Sequence, residues 1–181
     1  MPFSLGFWAT AGAETGPVME LISTTVLAST ATSVNFSSIP QNYRALQIRA
    51  VTKGTTADTN INSLLTFNGL AGSNYSFHRI LSTGTGSSRA VGTNQASIII
   101  GISVSRVTTA NAFGAAIIDV LQYTANANKT VRAAYGQTDS TDHISLLGGQ
   151  LMDANPIQSL NLAISVGSYA IGSRFSLYGV K

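Results

Sequence analysis

The chain has 181 residues, 10 of them Lys or Arg and 7 Asp or Glu, so 9% carry charge and the formal net charge is +3. An average soluble protein is about 25% charged; here 22 Ser, 20 Thr and 17 Gly fill the gap. That balance excludes a disordered chain, which needs low hydrophobicity and high net charge, and a long-helix protein, which leans on Glu, Lys and Arg.

The first 17 residues stand apart from the rest. Phe3, Leu5, Phe7 and Trp8 form a compact apolar cluster, and Trp8 is the chain's only Trp. Ala9 to Pro17 is rich in small residues, with Gly and Pro, and favours an extended or flexible linker. The cluster needs burial, against its own domain or in a partner. Aromatic anchors at a chain end favour the partner, so residues 1–17 are expected to be an attachment arm.

From residue 18 to 181 the pattern is that of a single β domain. Val18–Ala28 is β-branched and reads as a first strand, and Thr32–Phe36 as a short second one. Tyr43–Val51 alternates, with Leu46, Ile48 and Ala50 on its apolar side. Such period-2 alternation marks a half-buried strand. Lys53–Asn60 reads as a polar loop. Leu64–Phe67 is a strand closed by the turn pair Asn68-Gly69. Tyr75–Leu81 alternates again and is followed by a predicted loop, Ser82–Ser88. Ser97–Val104 is apolar, and Phe113–Tyr123 is the most apolar stretch, expected as a central strand. Asn126, Asn128 and Lys129 mark a turn. Thr130–Gln137, His143–Leu151, Ile157–Val166 and Arg174–Val180 complete the set. A helical turn is expected only at Thr108–Ala112. About ten or eleven strands at this spacing predict an all-β fold, an antiparallel β-sandwich.

The totals narrow function by exclusion. No cysteine is present, so disulfides and thiolate metal sites are ruled out. His78 and His143 are far apart and lack ligand spacing, so no metal or other cofactor is expected. The pI near 9.5 reflects few acids; the ten cations are scattered singly, unlike a phosphate-tracking run, and no nucleic-acid partner is expected. No apolar run reaches the length of a membrane span, so no membrane partner is expected either.

Catalytic constellations are equally thin. No Gly-x-Ser-x-Gly elbow occurs, and a triad drawn through His143 with Asp142 or Asp119 carries little weight among 22 serines. Thr83-Gly-Thr-Gly-Ser87 lacks the Lys and helix of a phosphate loop and reads as a hairpin. Asp58, Asp139, Asp142 and Asp153 sit in predicted loops, where acids are ordinarily solvated or cap turns. Asp119, inside an apolar run, is expected either to face outward or to be buried with a partner such as Arg132. Arg79 is expected to be an edge or interface arginine. The six tyrosines are dispersed and do not discriminate between sugar platforms and core filling.

An ordered series of motifs carries a resemblance. Glu20-Leu-Ile-Ser-Thr-Thr-Val-Leu27, Val34-Asn-Phe-Ser-Ser-Ile-Pro40 and Tyr43-Arg-Ala-Leu-Gln-Ile-Arg49 come first. Leu65-Thr-Phe-Asn-Gly69, Ile117-Ile-Asp-Val-Leu-Gln-Tyr123, Asn128-Lys-Thr-Val-Arg132 and Phe175-Ser-Leu-Tyr-Gly-Val180 follow. Together with Leu5-Gly-Phe-Trp-Ala9, they resemble a family of small tailed-phage virion proteins common in marine and cyanobacterial phages. The resemblance implies a jelly-roll-like β-sandwich found on heads or in tail fibres, with no catalytic residues. The expectation is therefore a non-enzymatic virion protein, a capsid decoration (cement) protein on the major capsid lattice. It would self-associate cyclically, for example as a trimer. The rival is a tail-fibre module that binds host-surface glycan through loops 53–60, 82–96 and 138–142.

Overall fold

The computed structural model describes residues 18–56, 61–102, 112–137 and 143–181. Among these residues there is no helix, and twelve strands form two antiparallel sheets. They are β1 (Met19–Val26), β2 (Ser33–Phe36), β3 (Ala45–Thr52), β4 (Asn62–Phe67), β5 (Tyr75–Thr83) and β6 (Gly86–Gln95). The second half supplies β7 (Ile98–Ile102), β8 (Gly114–Leu121), β9 (Lys129–Gln137), β10 (His143–Leu151), β11 (Leu160–Ile164) and β12 (Arg174–Val180). The larger sheet has eight strands in the order β1-β12-β3-β8-β9-β10-β5-β6; the smaller has four, β2-β11-β4-β7.

The alternation read in the sequence decides which side of each strand is covered. In β3, Leu46 and Ile48 have no accessible surface, while Arg49 and Val51 face out. β9 alternates in the same way, turning Val131, Ala133 and Tyr135 inward. The smaller sheet answers with Phe36, Leu65, Phe67, Leu160 and Leu162, and the two inner faces share one core. Each large apolar side chain buried there contributes roughly 1.5–3 kcal/mol.

The turns follow the residues that close them. Asn68 and Gly69 both have positive φ, 52° and 67°, and Leu70 N–H donates to the Phe67 carbonyl at 2.9 Å. Glycine takes that conformation without steric cost. The Asn68 side chain ties the turn to a second loop, accepting from the amides of Gln158 at 2.8 Å and Ser159 at 3.1 Å.

Two buried polar ties hold the sandwich from its ends. Tyr169 has no exposed surface; its hydroxyl donates to the Ala163 carbonyl at 3.0 Å on β11, and its ring meets Phe175 of β12 edge-on at 4.9 Å. It thus joins the smaller sheet to the larger. Burial pushes its phenol pKa up to about 12. Lys129, also without exposed surface, shares the three N–H donors of its ammonium among four carbonyls within hydrogen-bond distance. These are Ala125 at 2.7 Å, Ala127 at 2.5 Å, and Asp153 and Ala154 at 3.1 Å. Burial lowers the ammonium's pKa, and the negative charge of Asp153 opposes that shift.

The eleven strands expected from the sequence are all present, with ends shifted by a few residues. One segment differs. Ser82–Ser88 is not an open loop: β5 runs to Thr83, β6 begins at Gly86, and Thr83 pairs directly with Gly86. Residues 86–95 are a full edge strand of the larger sheet. Its run of Ser, Thr and Gly resembles a loop in composition, and pairing with β5 supplies what propensity does not. The expected turn at Thr108–Ala112 falls almost wholly within 103–111, outside the described residues, as does the expected arm at 1–17.

Candidate functional site

Among the described residues, the eight-stranded sheet faces only one other sheet, and nothing covers its outer side. The register sets the side chains there in transverse rows. One row runs Arg49 (β3), Ile117 (β8), Ala134 (β9), Leu146 (β10), Ile80 (β5) and Arg89 (β6). The next runs Gln47, Asp119, Arg132, Gly148, His78 and Val91 on the same six strands. The first row is an apolar band with an arginine at each end; the second is polar on β3, β8 and β9.

The apolar band is exposed. Ile80 retains 62% of its accessible surface, Leu146 60% and Ile117 49%, and Ile144 of β10 adds 66%. These are large side chains on β8, β10 and β5, with only the small Ala134 of β9 between Ile117 and Leu146, so they form one patch rather than scattered singles. Between them the surface sinks over Ala134 and Gly148 into an open groove of about 600 Å³. A neighbouring hollow of about 490 Å³ shares His78 and Gly148 and extends the depression toward β6. At Gly148 a side chain would meet nothing within 4 Å, so the groove floor is low because the residue there is small.

The polar row is held in place. Asp119 accepts from Gln47 Nε2 at 2.9 Å and forms an ion pair with Arg132 at 3.2 Å. Arg49 donates to Gln47 Oε1 at 2.9 Å and lies over the Tyr178 ring at 5.0 Å. A connected ribbon therefore runs from β12 to β9 beside the groove. Exposed pairs of this kind contribute little to stability, about 0–1 kcal/mol, and chiefly fix side-chain positions.

The sequence-level candidates for chemistry do not converge. Asp119 faces outward, one of the two expected arrangements, and there also pairs with Arg132. His143 is buried on the inner side of β10, with Nδ1 3.0 Å from Gln137 Nε2, so Asp119 and His143 sit on opposite faces of the sheet. His78 is on the outer face, opposite Gly148. Asp58, Asp139 and Asp142 lie outside the described residues. Among those described, no three His, Asp or Glu side chains cluster as metal ligands would. Thr83-Gly-Thr-Gly-Ser87 forms the β5–β6 hairpin. Of the three loops assigned to a host-facing surface, 82–96 is largely β6, while 57–60 and 138–142 are outside the described residues.

Arg79 is not an edge residue. It sits on the inner side of β5, between Leu147 and Ala90 in register, and its Nε and Nη1 are buried with no hydrogen-bond partner. Burial lowers its pKa. The exposed band itself was missed by sequence reasoning. The available signal was the failure of alternation in β8 and β10, where Ile117-Ile118 and Leu146-Leu147 place apolar residues on both faces.

Comparison with family models, curated proteins and solved structures returns no match. The reading of function therefore rests on the geometry of the sheet face and on the sequence.

Proposed function

We propose that this chain is a non-enzymatic structural protein of a bacteriophage virion, a decoration protein seated on the major capsid lattice at the capsid surface. The observation that carries this reading is the uncovered outer face of the eight-stranded sheet. Contiguous exposed Ile80, Ile117, Ile144 and Leu146 are what a surface made to be covered by another protein presents. The low charge agrees with it, since the cores of protein interfaces are depleted in charged residues. The motif series from Glu20 to Val180 supplies the phage context, and the arm residues Phe3, Leu5, Phe7 and Trp8 supply anchors for a second contact.

A glycan-binding fibre module is supported less well. Among the described residues lining the groove, none is Trp, Tyr or Phe, and the lining is dominated by Ile, Leu and Ala. Sugars are ordinarily received on aromatic faces with converging polar groups.

Labelled antibody or gold imaging of intact virions tests the proposal. Label over the head is the expected outcome. Label confined to the tail overturns the decoration reading and favours the fibre.

A further inference from the structure

The groove has a floor at Ala134 and Gly148 and walls at Ile117, Leu146 and Ile80. Its occupant should be narrow, extended and apolar, and the same chain contains such a segment. In Phe3-Ser-Leu-Gly-Phe7, large apolar residues alternate with small ones. An extended chain turns alternate side chains to one side, about 7 Å apart, which is the repeat of side chains along a strand face. Trp8 adds the large rigid ring that anchors interfaces of this kind.

We propose that the groove receives the segment Phe3–Trp8 of a second copy of this chain, so that each subunit's arm lies on its neighbour's outer sheet face. The proposal rests on the reading of that face as a protein-docking surface and names its partner. Charge does not oppose the contact: Phe3–Trp8 carries no charged side chain to set against Arg49, Arg89 and the paired Arg132 and Asp119 around the groove, and Glu14 lies in the linker.

Distance favours a neighbour's groove over the chain's own. Val18 lies beside the β1 edge, where its carbonyl accepts from the Lys181 amide, and β9 is the fifth strand in the order β1-β12-β3-β8-β9. At about 4.8 Å per strand, and with Ala134 four residues in from the sheet end nearest Val18, the groove centre is about 23 Å from Val18. A flexible linker the length of Ala9–Pro17 spans about 15–18 Å on average. Its own groove lies within the roughly 30 Å that linker reaches when extended but beyond its average span, whereas a second copy can approach to the distance the linker prefers. Arm and groove are different surfaces, so the contact is heterologous and repeats until it closes into a ring.

Sedimentation of the full-length chain over a concentration series tests this. A closed oligomer is expected. Trp8→Ala should raise the half-assembly concentration about 30-fold, as loss of an interface anchor does. Gly148→Ile, which fills the groove where a side chain meets open space, should abolish assembly and leave the melting temperature unchanged. Because the chain has no cysteine, Leu5→Cys, on the groove-facing side of the arm, and Ala134→Cys can be introduced on separate molecules and mixed under oxidising conditions. A disulfide-linked pair is expected, which keeps the test decisive if Gly148→Ile fails to fold.

A monomeric full-length chain, assembly that survives Gly148→Ile, or a cross-link formed only within doubly substituted monomers overturns the proposal. The last result would place the chain's own arm in the groove. Tail-only label with intact arm exchange would sink the capsid reading alone; head label with a monomeric chain would sink arm exchange alone.

Discussion

The eight-stranded sheet has two faces built from the same strands, and they carry similar side chains to different ends. Inside, Leu46, Ile48, Ile118 and Leu147 meet the four-stranded sheet and are buried. Outside, on the same or neighbouring strands, Ile117, Leu146 and Ile80 keep about half or more of their surface exposed, with no second sheet over them among the described residues. Adjacent residues Ile117 and Ile118 differ only in which way the pleat turns them. An apolar side chain contributes to folding only where a partner surface excludes water from it. The outer band therefore adds stability only to a contact that covers it.

The largest expected effect separates the two faces directly. Leu46→Ala should cost about 2–5 kcal/mol of stability, as cavity-forming changes in a core do. Leu146→Ala, the same chemical change on the outer face, should stay within about 0.5 kcal/mol in the isolated chain. Denaturant unfolding measures both. Equal losses from the two variants would show that the outer band is already covered in the isolated chain.

A second variant asks whether a polar tie matches an apolar one in weight. Lys129→Met keeps the length of the side chain but removes the ammonium that four carbonyls surround. The expected loss is about 2–4 kcal/mol, because buried acceptors are left unsatisfied. A melting temperature equal to that of the unchanged protein would show that water replaces the ammonium without penalty.

The smallest effect is visible only in alkali. Tyr169 titrates near 10 when unfolded and is pushed up to about 12 in the fold. A raised acid pKa favours the folded state fully below the unfolded value. Its contribution, roughly 3 kcal/mol, is lost as pH rises from about 10 to 12. Tyr169→Phe should flatten that part of the stability curve while costing about 1 kcal/mol at neutral pH through the lost hydrogen bond. A curve of unchanged steepness in the variant would assign the alkaline loss to other groups.

The all-β class, eleven of the strands and the outward option for Asp119 were legible because each is a local pattern. Alternation in β3 needs only nine residues to be seen, and the Asn68-Gly69 turn only two. β6 was not legible, because Gly86–Gln95 has neither alternating apolar residues nor strand propensity and is made a strand by its pairing with β5. The candidate site was least legible of all. Ile80, Ile117 and Leu146 are up to 66 residues apart in the chain, and the registers of three pairings bring them into one row. Lys129 was read as a turn marker, although its period-2 spacing with Val131, Ala133 and Tyr135 already places it on the inward face of β9.

The carbonyl cage around Lys129 also makes this lysine a reporter. The chain has only three lysines, Lys53, Lys129 and Lys181, and Lys129 alone is fully enclosed. Its amine can meet an acylating reagent only when the turn at Ala125–Ala127 or the loop at Asp153–Ala154 lets go. Acylation of Lys129, followed by mass spectrometry, would then time the opening of that corner of the sandwich, and a slower rate on assembled particles than on free protein would measure how far assembly holds it shut.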